Sequence, residues 1–346
     1  MEIVLLRLDR IGDFILGSPS YRALRQAYPT DRITAVVPSD VAELANACPY
    51  FDAVHIHDAL WLLSHRRPAE WWMSAWRLIR FLRSKKPGWV LDFRYQNRLD
   101  PIVAGLSGAK RRTGYDLGLA SLFLNERVER PGPQLHQVER NLYLLRSAGV
   151  AAESCELEVW WDGHDRTTAE ERMPTDALRP GAPRIAVHVG AGLPAKRWPE
   201  KRFGALIHEL RALTQADILV MGGEKDVAVA AAVVNHVECP VINLAGKLSL
   251  RQMAALVGSC QVFIGCDSGA THVAAAVGVP VVSLFSAANR VEVWRPWGPK
   301  VTVITRHPTC SPCHSFQCTR NDGYFCMADI AVDEVAAAVR TAWTER

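Results

Sequence analysis

Short runs of consecutive apolar, often β-branched residues alternate along this chain with longer stretches in which apolar residues recur every third or fourth position. An unbroken apolar run reads as a strand buried on both faces, and the three-and-four spacing reads as an amphipathic helix. In the first half the strands fall at 3–8, 33–37, 53–56 and 89–92; in the second they fall at 184–189, 217–221, 241–244, 262–265, 281–284 and 301–304. Helical spacing covers 22–27, 71–83, 137–148, 202–213, 226–235 and 249–257. Strand and helix in alternation predict parallel sheets built from βαβ units, so the chain is expected to be an α/β protein in both halves.

The interval 170–183 is rich in Pro, Gly and charge and precedes a strand that starts a new series. It divides a first domain over 1–172 from a second over 182–328. The remaining 329–346 carries a last helix that follows a cysteine-rich stretch rather than a strand, and it is expected to cross back onto the first domain. Two Rossmann-like, doubly wound domains facing one another enclose a central cleft, with ligands at the carboxyl ends of their strands. Function is therefore sought in the loops that follow strands.

Composition adds limits. The 346 residues, 49% hydrophobic and 22% charged, suffice for two cores. Glu2, Arg7, Asp9, Arg10 and Asp13 break up the first apolar stretch, and no run approaches the ~18 apolar residues of a membrane span, so an unexported, cytoplasmic protein is expected. Nine cysteines, five of them (Cys48, Cys155, Cys239, Cys260, Cys266) scattered in apolar or element-edge contexts, fit a reducing compartment. The net charge of +4 is uneven: residues 1–150 carry 21 Lys+Arg against 15 Asp+Glu, and residues 151–346 carry 19 against 21. The excess concentrates between Arg66 and Arg112, which favours an anionic partner. Trp61, Trp71, Trp72, Trp76 and Trp89 are interleaved with it; they read either as an acceptor face for a phosphorylated, lipid-linked sugar at a membrane surface or as core beside a solvated basic face. No nucleic-acid partner is expected.

Four loops carry candidate chemistry. After the first strand comes Arg7-Leu8-Asp9-Arg10-Ile11-Gly12-Asp13, where Gly12 allows a sharp turn and Asp13 reads either as a helix cap or as a general base for an acceptor hydroxyl. In the second half, Gly190-Ala191-Gly192 followed by Lys196 and Arg197 suits a pyrophosphate, a pattern shared with ordinary tight turns. Gly222-Gly223-Glu224 places an acid that reads as a ribose ligand or as a first-turn helix acid. The most distinctive is Asp267-Ser268-Gly269-Ala270-Thr271-His272, which crowds Asp, Ser, Gly and His at one helix start.

In order along the chain, R-L-D-R-I-G-D, H-V-G-A-G with A-K-R-W-P at 188–199, G-G-E at 222–224, D-S-G-A-T-H at 267–272 and G-V-P-V-V-S-L-F at 278–285 resemble glycosyltransferase family 9, the heptosyltransferases of the GT-B fold. That resemblance implies inverting transfer of a heptose from ADP-heptose to an acceptor hydroxyl of the lipopolysaccharide inner core or a related bacterial glycan, with no cofactor required for catalysis. It implies Asp13 as catalytic base, Lys196 as the cation at the leaving diphosphate and Glu224 on the ribose. Ser268, Gly269 and His272 would line the diphosphate pocket, with Gly190, Ala191, Gly192 and Arg197 beside it and Asp267 on the sugar or the loop backbone. The acceptor side, an anionic glycolipid met by peripheral contact with the inner membrane, is read from charge at Arg10, Arg94 and Arg98, with Gly12 in the same loop as Arg10.

Cys310-x2-Cys313-x4-Cys318-x7-Cys326 opens at metal-ligand spacing. Four thiolates at a structural Zn or Fe site and four free thiols are both open readings, and a structural role is expected because no catalytic loop is close in sequence. Related heptosyltransferases that modify autotransporter proteins hold iron with four such cysteines, which keeps a protein acceptor as an alternative. A non-catalytic sugar-nucleotide-binding protein of the same fold is the other.

Overall fold

A computed structural model describes residues 1–60, 68–174, 179, 181–320 and 325–344. The chain divides into two compact units, Met1–Glu156 and Leu157–Arg346. The first contains β1 (Glu2–Leu6), α1 (Ile11–Leu16), α2 (Ser18–Ala27), β2 (Arg32–Val37), α3 (Ala42–Ala47), β3 (Ala53–Ile56), α4 (Pro68–Lys85), β4 (Trp89–Asp92), α5 (Leu99–Leu106), β5 (Arg111–Tyr115), β6 (Glu126–Val128) and α6 (Gln137–Ser147). The second contains α7 (Gly163–Glu171), β7 (Arg184–His188), α8 (Glu200–Thr214), β8 (Asp217–Met221), α9 (Val227–Val234), β9 (Ile242–Asn243), α10 (Leu250–Val257), β10 (Val262–Cys266), α11 (Gly269–Val277), β11 (Val281–Phe285), α12 (Val291–Trp294), β12 (Val301–Thr305) and α13 (Val332–Thr344).

Each unit holds one parallel six-stranded sheet, ordered β3-β2-β1-β4-β5-β6 in the first and β12-β11-β10-β7-β8-β9 in the second. Both are the doubly wound α/β arrangement expected from the sequence. The winding reverses between β1 and β4, where Leu6 stands opposite Asp92, and between β10 and β7, where Gly265 stands opposite His188. Loops leaving the two strands at a reversal turn to opposite faces of the sheet and open a crevice at their carboxyl ends. The topology alone thus brings the loop after β1 to the loop after β4, and the loop after β7 to the loop after β10.

The central strands β1, β7 and β10 are buried on both faces, which is why their sequences are continuously apolar. In the first unit Ala75, Leu78, Ile79 and Leu82 of α4 pack with Val103 and Ala104 of α5 over β1 and β4. In the second unit Phe203, Leu206, Ile207 and Leu210 of α8 form the core with strand residues and with Val335, Ala336 and Val339 of α13.

Two boundaries differ from the sequence reading. Helix α7 belongs to the second unit, so the division precedes the expected 172–182 interval. An Asp162–Asp165 capping box starts α7, and Arg251 of α10 holds both carboxylates, at 2.8 and 2.5 Å. The last helix belongs to the second unit, where it packs on α8, β10 and β11. Its apolar stripe completes the second core, and the turn before it is pinned where Trp198 Nε1 and Arg202 donate to the Ile330 carbonyl at 3.1 and 2.7 Å. Among the described residues no helix is long and apolar enough to cross a membrane.

Candidate active site

In the first unit, the loop after β1 is built around two inward-turned arginines. Arg7 is fully buried; it donates to the Asp13 carbonyl at 2.5 Å and to Asn141 Oδ1 at 3.3 Å, and its guanidinium lies 5.1 Å from the Phe93 ring centre. Arg94, from the loop after β4, donates to the Leu8 carbonyl at 2.7 Å and pairs with Asp9 at 3.4 Å and Asp100 at 3.2 Å. Arg7 also reaches Asp9, at 3.4 Å. Asp9 is therefore the hub on which the two loops of the switch point close.

Asp13 stands in the first turn of α1, whose N-cap is Arg10. Asp13 is thus not the cap; its carboxyl draws on the Arg10 backbone amide, as an acid does three positions into a helix. Surrounding protein strips water from this carboxyl and Asp9 repels its charge, so its pKa is raised to about 7, with Arg7 and Arg94 pulling the other way. Behind it, burial and Asp100 hold the Asp92 carboxyl well above the usual range. Arg10 and Arg98, the N-caps of α1 and α5, are exposed, and Gly12 lies within α1, half-buried. Of the three arginines read as acceptor ligands, Arg94 is occupied in holding the Asp9 loop.

The interleaved tryptophans separate in the structure. Trp89 is fully buried and donates to Thr113 at 2.8 Å, Trp71 packs at the edge of the core, and Trp72 and Trp76 are exposed. Trp61, with Arg66 and Arg67, lies outside the described residues.

In the second unit the loops after β7 and β10 meet at the other switch point. Lys196 Nζ pairs with Asp267 Oδ2 at 2.7 Å, and the Asn289 amide, from the loop after β11, donates to the same oxygen at 3.0 Å. His272 is buried beside them; burial and the Lys196 charge push its pKa down to about 4, so it is neutral at physiological pH. Ser268 is the N-cap residue of α11, but its hydroxyl turns to Thr271 Oγ1 at 3.2 Å instead of capping, and Thr271 in turn donates to the Cys266 carbonyl at 2.5 Å. The α11 amides beginning at Gly269 thereby present a helix N-terminus beside Lys196 and His272, an arrangement that can hold an anion.

The loops after β7 and β8 are tied by a residue that sequence reasoning passed over. Asp226 accepts from the Gly223 amide at 3.0 Å, lies 3.8 Å from Arg197, and packs so closely on Gly190 that a Cβ there would run into its carboxylate. This close approach accounts for glycine at 190. Glu224 opens the 3₁₀ turn that ends at Asp226 and is exposed, while Ala191 is buried and Gly192 exposed.

The sequence profile of glycosyltransferase family 9 (heptosyltransferase) matches residues 75–323. The chain belongs to that family. It is a glycosyltransferase, 28% identical over 295 residues to lipopolysaccharide heptosyltransferase 3 of Escherichia coli, a match covering 83% of each chain. Its fold is that of a family 9 glycosyltransferase from Veillonella parvula, with a TM-score of 0.84, 23% identity and coverage of 100% of this chain and 97% of that one. It is likewise that of the E. coli ADP-heptose lipopolysaccharide heptosyltransferase II, with a TM-score of 0.77, 21% identity and coverage of 99% and 98%.

The cysteine segment of this family 9 enzyme lies against the loops after β7 and β11, although it is distant from the first of them in sequence. The Ala195 amide donates to the Phe316 carbonyl at 3.1 Å, and the Cys313 and His314 amides donate to the Ala287 and Ala288 carbonyls at 3.1 and 3.0 Å, next to Asn289. The Cys326 thiol, raised by burial, has Cys313 and Cys318 near it, while Cys310 and Cys318 are exposed. Among the described residues no group of three or more His, Cys, Asp or Glu side chains is arranged to hold a metal ion, so the structure lends the Zn or Fe reading of these four cysteines no support.

Proposed function

We propose that this glycosyltransferase moves a heptose from ADP-heptose to a hydroxyl of the lipopolysaccharide inner core or a related glycan, with inversion at the anomeric carbon. The observation that carries the mechanism is the place of the Asp13 carboxyl, in the first turn of the helix that follows β1 and beside the Arg7–Asp9–Arg94 cluster, where burial and Asp9 raise it to about 7. A base of that strength is matched to taking a proton near neutral pH. As the acceptor oxygen bonds to the anomeric carbon, Asp13 takes its proton, the bond from that carbon to the diphosphate oxygen breaks, and ADP leaves with the electron pair. Charge growing on the diphosphate is met by Lys196 and the α11 amides rather than by a metal, with neutral His272 as a hydrogen-bonding partner. Glu224 accepts from the ribose hydroxyls, and Gly190, Ala191, Gly192, Arg197, Ser268 and Gly269 line the donor pocket.

Arg10 and Arg98 meet the anionic acceptor, while Arg94 keeps Asp9 and hence Asp13 in place. The enzyme works in the cytoplasm, in peripheral contact with the inner face of the membrane where a glycolipid acceptor resides. The cysteine segment lends the protein-acceptor alternative no support. Calorimetric titration with ADP, UDP and GDP, followed by turnover of ADP-heptose on a deacylated inner-core acceptor, tests this reading. ADP is expected to bind best and to lose affinity in Lys196→Ala and Glu224→Ala; preference for UDP or GDP would overturn the donor.

A further inference from the structure

The sheet-facing side of α4 is complete, with Ala75, Leu78, Ile79 and Leu82 in the core, yet the opposite side is not polar throughout. Trp72, Met73 and Trp76 are 56%, 54% and 54% exposed, and Arg77, Arg80 and Arg83 follow on the same outward side. Glu70 is the one acid of this helix. Beside α4 lies α5, and on α5 sits the 3₁₀ turn Gly118–Phe123. It is seated where Gly105 leaves room for the Phe123 side chain, and it exposes Leu119 by 85% and Leu122 by 64%. The first unit thus exposes two apolar patches, one on α4 beside a row of arginines and one on the turn that sits on α5.

We propose that the outward side of α4, with the 3₁₀ turn on the adjacent α5, docks the enzyme on an anionic phospholipid surface. Indoles settle at the boundary between headgroups and acyl chains, and adjacent cations pair with anionic headgroups. The centre of a protein interface is depleted of charge, whereas here Arg77, Arg80 and Arg83 share the outward side of α4 with Trp72, Met73 and Trp76. The charge therefore favours a lipid surface over a second copy of the chain. The proposal deepens the membrane contact proposed above by naming the face that makes it, and it rests on that reading only for its biological setting.

The test is co-sedimentation of the full chain with vesicles of phosphatidylcholine alone or mixed with phosphatidylglycerol, for wild type, Trp72→Ser with Trp76→Ser, and Arg77→Gln with Arg80→Gln. Wild type should bind the mixed vesicles in a salt-sensitive way, with tryptophan emission shifting to the blue. The arginine pair should weaken binding roughly fivefold per charge removed, and the tryptophan pair should abolish the emission shift. Unchanged thermal melting would show that both variants fold. Equal binding to both vesicle types, or variants that bind like wild type, would overturn the proposal. So would a wild-type dimer that the tryptophan pair dissolves without any vesicle binding, which would assign the face to a second copy. Vesicle binding needs neither donor nor acceptor, so a wrong donor assignment leaves this result untouched.

Discussion

As the proposed base, Asp13 would tie reactivity to stability. Its carboxyl is raised from about 3.8 to about 7, chiefly by loss of water and by Asp9. The ionised form is the one that takes a proton, so kcat/KM should rise with pH through a limb near 7, and Asp13→Asn should lose roughly 10²–10⁴ in rate. A raised acid pKa also means that the folded chain holds this proton more tightly than the unfolded one, so the wild type loses stability as pH climbs from about 4 to about 7 and loses no more above that. Asp13→Asn removes the ionisation and should melt higher than wild type at pH 8, with the gap closing toward pH 4; thermal melts across that range check it. A variant that is slower and yet no more stable at pH 8 would mean that Arg7 and Arg94 already compensate the charge. A second residue-scale expectation concerns Gly190 and Asp226. Gly190→Ala collides with the Asp226 carboxylate, and Asp226→Ala gives up its bond to the Gly223 amide, so each alone should weaken ADP binding by roughly tenfold. Together they should cost less than the sum, since one substitution makes the room the other needs. Independent losses in a titration of all four proteins would show that the two loops are not coupled through this contact.

Among the elements, those legible in the sequence are the ones whose burial leaves a simple pattern. Strands buried on both faces read as apolar runs, so β1, β2, β4, β7, β8, β10 and β11 stand out before any fold is known. Strands β5 and β6 do not, because they sit at the side of the sheet and spend their polar residues on each other: Arg111 pairs with Glu126 at 2.7 Å, and what reads as part of a basic field is a cross-strand ion pair. Helix α5 is hidden by Pro101 in its first turns and by its shortness. The motif loops were legible because glycine, acid and base crowd strand ends, but Asp226 and Asn289 were not, since their roles depend on loops that meet only through the order of strands in the sheet. Helix α13 is the clearest correction. Its apolar stripe was visible, but its partner was not, and the structure gives that partner as the second core. Val335→Ala should therefore cost about 2 kcal/mol, and limited proteolysis should open residues 157–346 first, leaving 1–156 resistant. Early cleavage within the first unit would contradict the packing of α13 on α8.

At the scale of the molecule, each unit has its own sheet and its own core, and the residues proposed to hold the nucleotide all belong to the second. A ligand stabilises what it binds by mass action, so ADP at a hundred times its dissociation constant should add about 2.7 kcal/mol to the second unit. For a unit of this size that corresponds to roughly 5–10 °C in melting temperature. Scanning calorimetry should show two transitions, of which ADP raises one; Val335→Ala should lower that same transition, and Glu224→Ala should remove most of the ADP shift without lowering it. Asp13 belongs to the first unit, so Asp13→Asn should move the other transition. If ADP raised both transitions together, the two units would be coupled in unfolding and the donor affinity could not be assigned to the β7, β8 and β10 loops alone. If it raised neither, the helix N-terminus at Gly269 and the Lys196–Asp267 pair would not be the nucleotide site. The division of the chain into two cores thus makes the assignment of donor residues testable without any knowledge of the acceptor.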